Sequence, residues 1–447
     1  LLLNPKFKTL MKLLIYSPKK SSRLGYVLDT VFKQFLQLEF QLTTDVSFYQ
    51  NNTAVKINYS TSGICEEELL IPSSRFLFDI GIRPLLTAVL QANSLKALFP
   101  VDIPNADFPF DFFSMVFYCL SRYEEYLDFK PDSHGRFPAH QSLASKHHFL
   151  NQPLVDLWIR QLAQKLENKY PELQIARPTY RFLPTYDVDL AWAYLHKGSF
   201  RSFFSFLKSI SLGNFFQIRE QVSVSLAKKP DPFYTYDYLD ELHKTFNLKP
   251  IYFFLLANYG PFDKNVSHRS AALIRLVKSL HDKYTLGIHP SYASNTRPEL
   301  IQLEKSRLES LTGKKVNHSR QHFLILRFPE TYRKLLKYNI ENDYSMGYAS
   351  DIGFRAATSR SFYWYDLEKE ESTKLLLHPF QVMDVSLKNY LKLTPEAAID
   401  QLKPMIQMIR QTGGTFTTLW HNSSFSHIEN WQNWKAVYEM IIKKALP

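Results

Sequence analysis

Two rhythms of apolar and polar residues run along the chain, and the pattern changes near residue 179. Beyond that point, short runs rich in β-branched and aromatic residues take turns with stretches whose apolar side chains recur every three to four positions. The strand-like runs are RFLPTYDVD, IYFFLLA, TLGIH, VNHSRQHFL, DYSMGYA, TKLLLHPF and TFTTLWH. The helical stretches are YTYDYLDELHKTF, SAALIRLVKSLHDKY, PELIQLEKSRLESL, ETYRKLLKYN, PEAAIDQLKPMIQMIRQ and NWQNWKAVYEMIIKKAL. Strands with helices between most of them predict an α/β fold on a parallel sheet. Their number and spacing suit a distorted seven-stranded (β/α) barrel over residues 179–447, with an open doubly wound sheet as the alternative.

Residues 11–178 mix strand-like LLIYS, AVKINYS and RFLFDIG with helical DFFSMVFYCLSRYEEYL and PLVDLWIRQLAQKLENKY. This predicts a smaller α/β or α+β domain ahead of the barrel. A length of 447 residues, more than one core usually organises, agrees with two domains. The first part holds two polar clusters, Arg122 with Glu124 and Glu125, and Asp132-Ser133-His134-Gly135-Arg136. A ligand pocket is one reading of them. A turn held by Asp, Gly and Arg side chains is the simpler one, and no chemistry is assigned. The chain opens on Leu1 while Met11 begins MKLLIYS, so residues 1–10 are expected to carry no function.

Composition places the chain among globular proteins, since 45% apolar content supplies ample core. Lys and Arg outnumber Asp and Glu by 54 to 42, which favours anionic partners such as acidic glycans, phospholipid or nucleic acid. That charge is spread thinly, in clusters such as Lys19-Lys20, Lys228-Lys229 and Lys443-Lys444, without the aromatic interleaving of a nucleic-acid module. No specific nucleic-acid binding is expected. Cys65 and Cys119 lack metal-site spacing and fit buried thiols in a reducing compartment. No apolar run reaches the roughly 20 residues that span a bilayer. The start also lacks the order of a signal peptide, so a cytoplasmic protein without a transmembrane segment is expected. Neither Gly-rich phosphate loop occurs. The connection from about 193 to 231 contains KGSFRSFFSFLKSISLGNFFQIREQ, expected as a helical pair packing its Phe residues on the barrel flank. A lid or membrane-surface patch is the alternative.

In a parallel α/β barrel the loops at the carboxyl ends of the strands share one mouth, and reactive groups collect there. The first strand ends in Asp187-Val188-Asp189, and a period of two points both carboxylates the same way. Such a pair repels itself unless a cation stands beside it, although turns also use D-x-D. The third strand ends in Gly287-Ile288-His289-Pro290-Ser291, where a capping His before a proline turn is the alternative. On the fourth run, Arg320 and His322 share a face. A buried Arg320 calls for a carboxylate partner, naturally Asp187, unless both side chains face the flanking helix. The last strand ends in Leu419-Trp420-His421-Asn422. Such groups at four strand ends point to one site. Carboxylates with imidazoles and room for water suit a divalent metal such as Zn, and hydrolysis of an amide or ester.

These residues, in this order, resemble the polysaccharide deacetylases of carbohydrate esterase family four over about residues 179–447. The phrases TYDVD, GIHPSY, SRQHFL, GFRAATS, HPFQVMD and LWHN are similar to those of an uncharacterised bacterial subgroup with an extra N-terminal domain, matched by residues 11–178. The resemblance implies Asp187 as general base, Arg320 as its partner, His421 as general acid, and Asp189 and His289 as metal ligands. The sequence departs from the family at two places. Val188 separates aspartates that are adjacent in most members, and Ala293 stands where a second metal-binding His is usual. His322 is expected to supply that imidazole instead. The Asp that orients His421 is either Asp343 or Asp384.

The implied reaction removes acetyl groups from N-acetylated sugars or polysaccharide, with the glycan as partner and a divalent ion as cofactor. The alternatives are a same-fold hydrolase of a small non-sugar amide and a non-catalytic glycan-binding relative. Trp192, Tyr292 and Trp420 suit either stacking on sugar rings or core packing.

Overall fold

A computed structural model of the protein describes residues 13–85, 87–198, 210–211 and 213–447. Residues 1–10 and the whole run SFRSFFSFLKS therefore lie outside the described residues. Further along that connection a helix, Phe215–Ser225, buries Glu220, Gln221 and Val224. Phe215 and Phe216 are exposed, so these two rings do not pack on the barrel flank as expected.

Among the described residues, the first sheet has four parallel strands, β1 (Leu13–Tyr16), β2 (Phe40–Thr43), β3 (Val55–Ser60) and β4 (Leu69–Pro72), in the order β2-β1-β3-β4. Parallel strands covered on both faces need apolar side chains throughout, and β1 and β4 are buried along their whole length. RFLFDIG, expected as a strand, forms only a short 3-10 turn at Phe76–Phe78, because Arg75 takes a φ of 68° and ends the extended backbone. An antiparallel hairpin follows, β5 (Val89–Ala92) with β6 (Leu95–Leu98). The helix Phe112–Leu120 is then capped by Asp111, whose side chain accepts from the Ser114 amide.

The second sheet holds β7 (Arg181–Val188), β8 (Ile251–Phe254), β9 (Thr285–Ile288), β10 (His318–Ser319), β11 (Asn342–Asp343), β12 (Phe362–Asp366), β13 (Glu371–Leu377), β14 (Val382–Met383) and β15 (Thr415–His421). Their order is β12-β13-β11-β10-β9-β8-β7-β15-β14, and only the β12/β13 pair is antiparallel. The seven expected runs all contribute, but VNHSRQHFL supplies just two strand residues and DYSMGYA one, and β12 and β14 add to them.

A closed seven-stranded barrel is not what forms. The ladder is interrupted where the segment after β13 leaves β11 and joins β15. Pro379 has no N–H to give at that point. Beyond it, Gln381 donates its backbone N–H to Thr417 (3.1 Å) and accepts the Thr417 N–H on its side chain (2.8 Å). The sheet is nonetheless strongly curled. Arg320 follows β10, three strands from β7, a gap of roughly 14 Å in a flat sheet. Yet its Nη1 reaches Thr185 Oγ1 (2.7 Å) and Asp187 Oδ1 (2.9 Å) on β7.

Helices cover the outside with apolar stripes of three-to-four spacing. Ala271–His281 buries Ala272, Leu273, Leu276, Val277 and Leu280. Pro395–Thr412 buries Ala398, Leu402, Met405, Ile406 and Ile409, starts at a Thr394 cap and stops at Gly413, whose φ is 68°. One hydrophobic core runs through both parts of the chain, from Leu13 to Ala445. The GFRAATS segment seams them. Phe354 donates its N–H to Leu150 O (2.9 Å), and Val155 donates its own to Ala357 O (2.9 Å). Arg355 Nε and Arg122 Nε both donate to Glu125 Oε1, at 2.9 and 2.8 Å.

Candidate metal centre

The carboxyl ends of β7, β9, β10 and β15 open into a cleft of about 330 Å³, lined by Asp187, Asp189, His289, His322 and His421 among others. β7 stops at Val188, so Asp187 points inward from the last turn of the strand and is 2% exposed, while Asp189 begins the loop. That loop is pinned by Asn422, whose side-chain amide donates to Leu190 O (3.1 Å) and Phe233 O (2.9 Å). His289 follows β9 directly. His322 arrives differently from the strand-face expectation. β10 ends at Ser319, and His322 opens a 3-10 turn, His322–Leu324, in which Phe323 has a φ of 60°.

Asp189, His289 and His322 each offer one ligand atom, and these atoms lie within 4.8 Å of one another. Asp189 Oδ1 is 3.2 Å from His289 Nε2, and its Oδ2 is 3.7 Å from His322 Nε2. Metal–ligand bonds of about 2.0–2.1 Å at tetrahedral angles hold ligand atoms roughly 3.4 Å apart, so the spacing fits one ion. The tautomers fit as well. His289 Nδ1 lies 2.6 Å from the Arg320 carbonyl and His322 Nδ1 3.0 Å from Asp263 Oδ1, both of which can only accept. Each Nδ1 therefore carries a proton, and each ring faces Asp189 with Nε2, the atom that would offer its lone pair to an ion once deprotonated. Backbone carbonyls and carboxylates are the usual supports behind metal-bound histidines. Asp189 Oδ1, meanwhile, is buried without a hydrogen-bond donor. These residues could hold a divalent ion.

The electrostatics couple the same three groups. Burial opposes ionisation of Asp189, but His322 and His289 outweigh it and hold the carboxyl well below the usual range. Burial likewise opposes a charge on His322, yet Asp189 and Asp263 push it up to about 9. Asp263 also accepts the Tyr292 N–H (2.7 Å) and the Ala293 N–H (3.1 Å). The position where a second His is usual in the resembling family, Ala293, is thus fastened to the carboxylate that holds His322.

Two further pairs flank this trio. Arg320 is fully buried, donates to Asp187 Oδ1 and to the Tyr344 carbonyl (Nε, 2.9 Å), and lies over the Phe253 ring at 4.6 Å. Asp187 Oδ2 stays free on the cleft side, 3.7 Å from His289 Nε2. His421 gives Nδ1–H to Asp384 Oδ1 (2.9 Å), and Asp384 Oδ2 accepts the His421 backbone N–H (2.7 Å). His421 Nε2 is left facing Asp189 Oδ2 at 3.8 Å. Burial would lower its pKa, but Asp384, then Asp189 and Asp187, push it up to about 10. Between the two candidates, Asp384 is therefore the partner of His421. Asp343 instead accepts from Ser319 and Ser345 and ties β10 to β11.

Of the three aromatic residues considered for stacking, Trp192 and Trp420 are core residues, 4% and 0% exposed. Tyr292 lies behind Phe262, with ring centres 4.2 Å apart. The rings on the cleft are those of Phe262, Phe323 and Tyr390. Asp263, Gln321 and Arg136 also belong to the site or its rim; the sequence marks Arg136 only as part of a polar cluster to which no chemistry is assigned, and assigns no role to the other two. Arg136 comes from the Asp132–Arg136 turn, which is a turn as expected: Asp132 accepts from the His134 and Arg136 amides (2.9 and 3.0 Å).

Residues 13–171 match a family of unknown function, DUF7033. No curated protein matches the chain. Among solved structures, one assigned as a polysaccharide deacetylase from Mycobacterium smegmatis is 13% identical, covers 61% of this chain and 88% of its own, and has a TM-score of 0.39. A polysaccharide deacetylase from Bacillus cereus is 12% identical over 60% of this chain and 89% of its own, with a TM-score of 0.30. An allantoinase is 11% identical over 60% and 84%, with a TM-score of 0.37. Likenesses this distant leave the chemistry to the geometry of the cleft. No helix among the described residues is long and apolar enough to cross a membrane.

Proposed function

We propose that this protein is a metal-dependent hydrolase that removes acetyl groups from N-acetylated sugars or polysaccharide. The observation that carries the reading is the convergence of Asp189, His289 and His322, each imidazole with Nδ1 tied back and Nε2 turned inward. Asp189, His289 and His322 would hold the ion, with Zn the best match to a ligand set of one carboxylate and two imidazoles. Such an ion supplies Lewis-acid polarisation of a carbonyl and acidification of water.

The chain's own residues divide the remaining work. Asp187 is the general base: Arg320 holds Oδ1, while Oδ2 faces the cleft to take a proton. His421 is the general acid. Asp384 fixes its Nδ1–H and favours the protonated ring, so Nε2 presents a proton for the departing amine. Asn422 and Asp263 are positioning residues that set the Asp189 loop and the His322 ring. The sugar part of the reading rests on the resemblance of TYDVD, GIHPSY, SRQHFL and LWHN to the deacetylase family.

The test is metal analysis of the purified protein with release of acetate from N-acetylated oligosaccharides, in wild type and in Asp187→Asn. The expected result is one divalent ion per chain and acetate release that Asp187→Asn abolishes. Absence of any bound ion after supplementation would overturn the hydrolase in favour of a non-catalytic relative. Acetate from small amides alone would overturn the glycan substrate.

A further inference from the structure

Three residues with hydrogen-bond donors to spare, Gln321, Arg136 and Lys264, line the cleft together with the His322–Leu324 turn. Gln321 is 2% exposed, lines the cleft, and leaves its Nε2 buried with no acceptor. A buried amide donor without a partner is unfavourable unless a ligand satisfies it. Arg136 is 7% exposed and lines the same cleft. Its Nε donates to Asp132 (2.7 Å), Nη1 to Phe323 O (2.9 Å), and Nη2, more weakly, to Tyr390 Oη (3.4 Å). A guanidinium has five N–H groups, so two of them remain. Lys264 is exposed on the cleft rim beside Asp263, and no carboxylate among the described residues forms a salt bridge with it. His134, two residues before Arg136, packs on Phe323 with ring centres 4.8 Å apart, which fixes the turn against the cleft.

Asp187 is neutralised by Arg320, and Asp189 faces two imidazoles. The lining formed by Arg136, Lys264 and Gln321 is rich in donors, with Arg136 balanced by Asp132 and Lys264 adding a positive charge. We propose that this wall binds a carboxylate on the substrate, and that the N-terminal part of the chain, through Arg136, thereby sets the specificity of the cleft. A planar guanidinium with two free N–H groups matches a carboxylate's two oxygens, and Gln321 and Lys264 add donors from the other side. The substrate class is then an N-acylated compound bearing an acid group, on the proposed reading an N-acetylated acidic glycan. The inference rests on that reading for the reaction, but not for the binding.

The experiment compares three N-acetylated compounds: an N-acetylhexosamine–hexuronate disaccharide, its neutral hexose counterpart, and an N-acetyl amino acid. Acetate release is measured with zinc-loaded wild type, Lys264→Gln, Arg136→Gln and Gln321→Leu, and binding of the same compounds is measured calorimetrically to Asp187→Asn. The expected result is a kcat/KM for the acidic disaccharide above that for the neutral one. Lys264→Gln, at an exposed position that does not threaten folding, should cut that ratio about tenfold. Preference for the N-acetyl amino acid, with the same loss in Lys264→Gln, keeps the carboxylate wall and overturns the glycan as its source. Equal kcat/KM for acidic and neutral disaccharides overturns the wall and leaves the deacetylase standing. No turnover of any compound overturns the deacetylase, and the wall is then decided by whether Asp187→Asn binds the acidic compounds more tightly than the neutral one.

Discussion

His322 donates its Nδ1–H to Asp263 Oδ1 across 3.0 Å, and this bond turns the ring's Nε2 toward Asp189. Asp263 reaches the ring from the loop after β8, while His322 comes from the turn after β10. On the proposed reading the carboxylate would act on an ion through the ring it holds.

Asp263→Ala should therefore lower metal affinity by about 10–100-fold, the usual cost of removing a support behind a ligating His. A competition titration with a chelating dye measures this, and circular dichroism checks that the fold survives. Unchanged affinity in a folded variant would remove Asp263 from the site.

Asp384→Asn should separate catalysis from metal binding. The amide still accepts the backbone N–H of His421 but no longer favours its charged ring. Loss of a positioned general acid typically costs 10²–10⁴-fold in rate. The expected outcome is a fall in kcat of about that size with metal content unchanged. A fall in metal content instead would make His421 a ligand.

How much of this was legible in the sequence follows from how each residue reaches the cleft. Asp187, His289 and His421 stand at the ends of strands long or regular enough to read, so chain order and a period of two already placed them at one mouth. His322 was reached by a face argument for a strand that stops at Ser319; the 3-10 turn brings it to the cleft by another route. Asp343 and Asp384 each end or follow a strand of two residues, too short for any periodicity, and only three-dimensional pairing separates them. Asp263 lies in an irregular loop without a pattern to mark it. Arg136 belongs to a turn whose local chemistry was readable, but its reach into the cleft depends on packing against Phe323, nearly 190 residues on. The interrupted ladder was hidden for a similar reason, since Pro379 and Gln381 matter only once β13 and β14 are seen to be parts of one bent segment.

Glu125→Gln should test the seam between the two parts of the chain. Glu125 is buried and pairs with two buried guanidiniums, Arg122 and Arg355, which hold its carboxyl below the usual range against the effect of burial. Neutralising it leaves the buried Arg355 without its carboxylate, while Arg122 keeps Glu124 (2.8 Å), at a cost of about 3–5 kcal/mol. The midpoint of urea unfolding should fall accordingly. A loss under about 1 kcal/mol would mean that water or another acceptor reaches the pair.

Acid should weaken the fold through two histidines remote from the cleft. Burial, partly countered by Asp240, lowers His243 to about 4, and burial, with His318 adding to it, lowers His378 to about 3. His378 is held neutral by its contacts, accepting from Ser361 Oγ at Nδ1 (2.7 Å) and donating from Nε2 to Asn342 Oδ1 (2.9 Å). Above about pH 6.5 both rings are neutral whether the chain is folded or not. Below it the unfolded chain takes up protons that the folded rings refuse, so stability falls with pH until the folded values are reached. At about 1.4 kcal/mol per pH unit, His243 alone accounts for roughly 3 kcal/mol between pH 6.5 and 4. Urea midpoints measured from pH 7 to 4 should show this decline, and His378→Asn should make it shallower. An equally steep decline in that variant would assign the acid sensitivity to carboxylates instead.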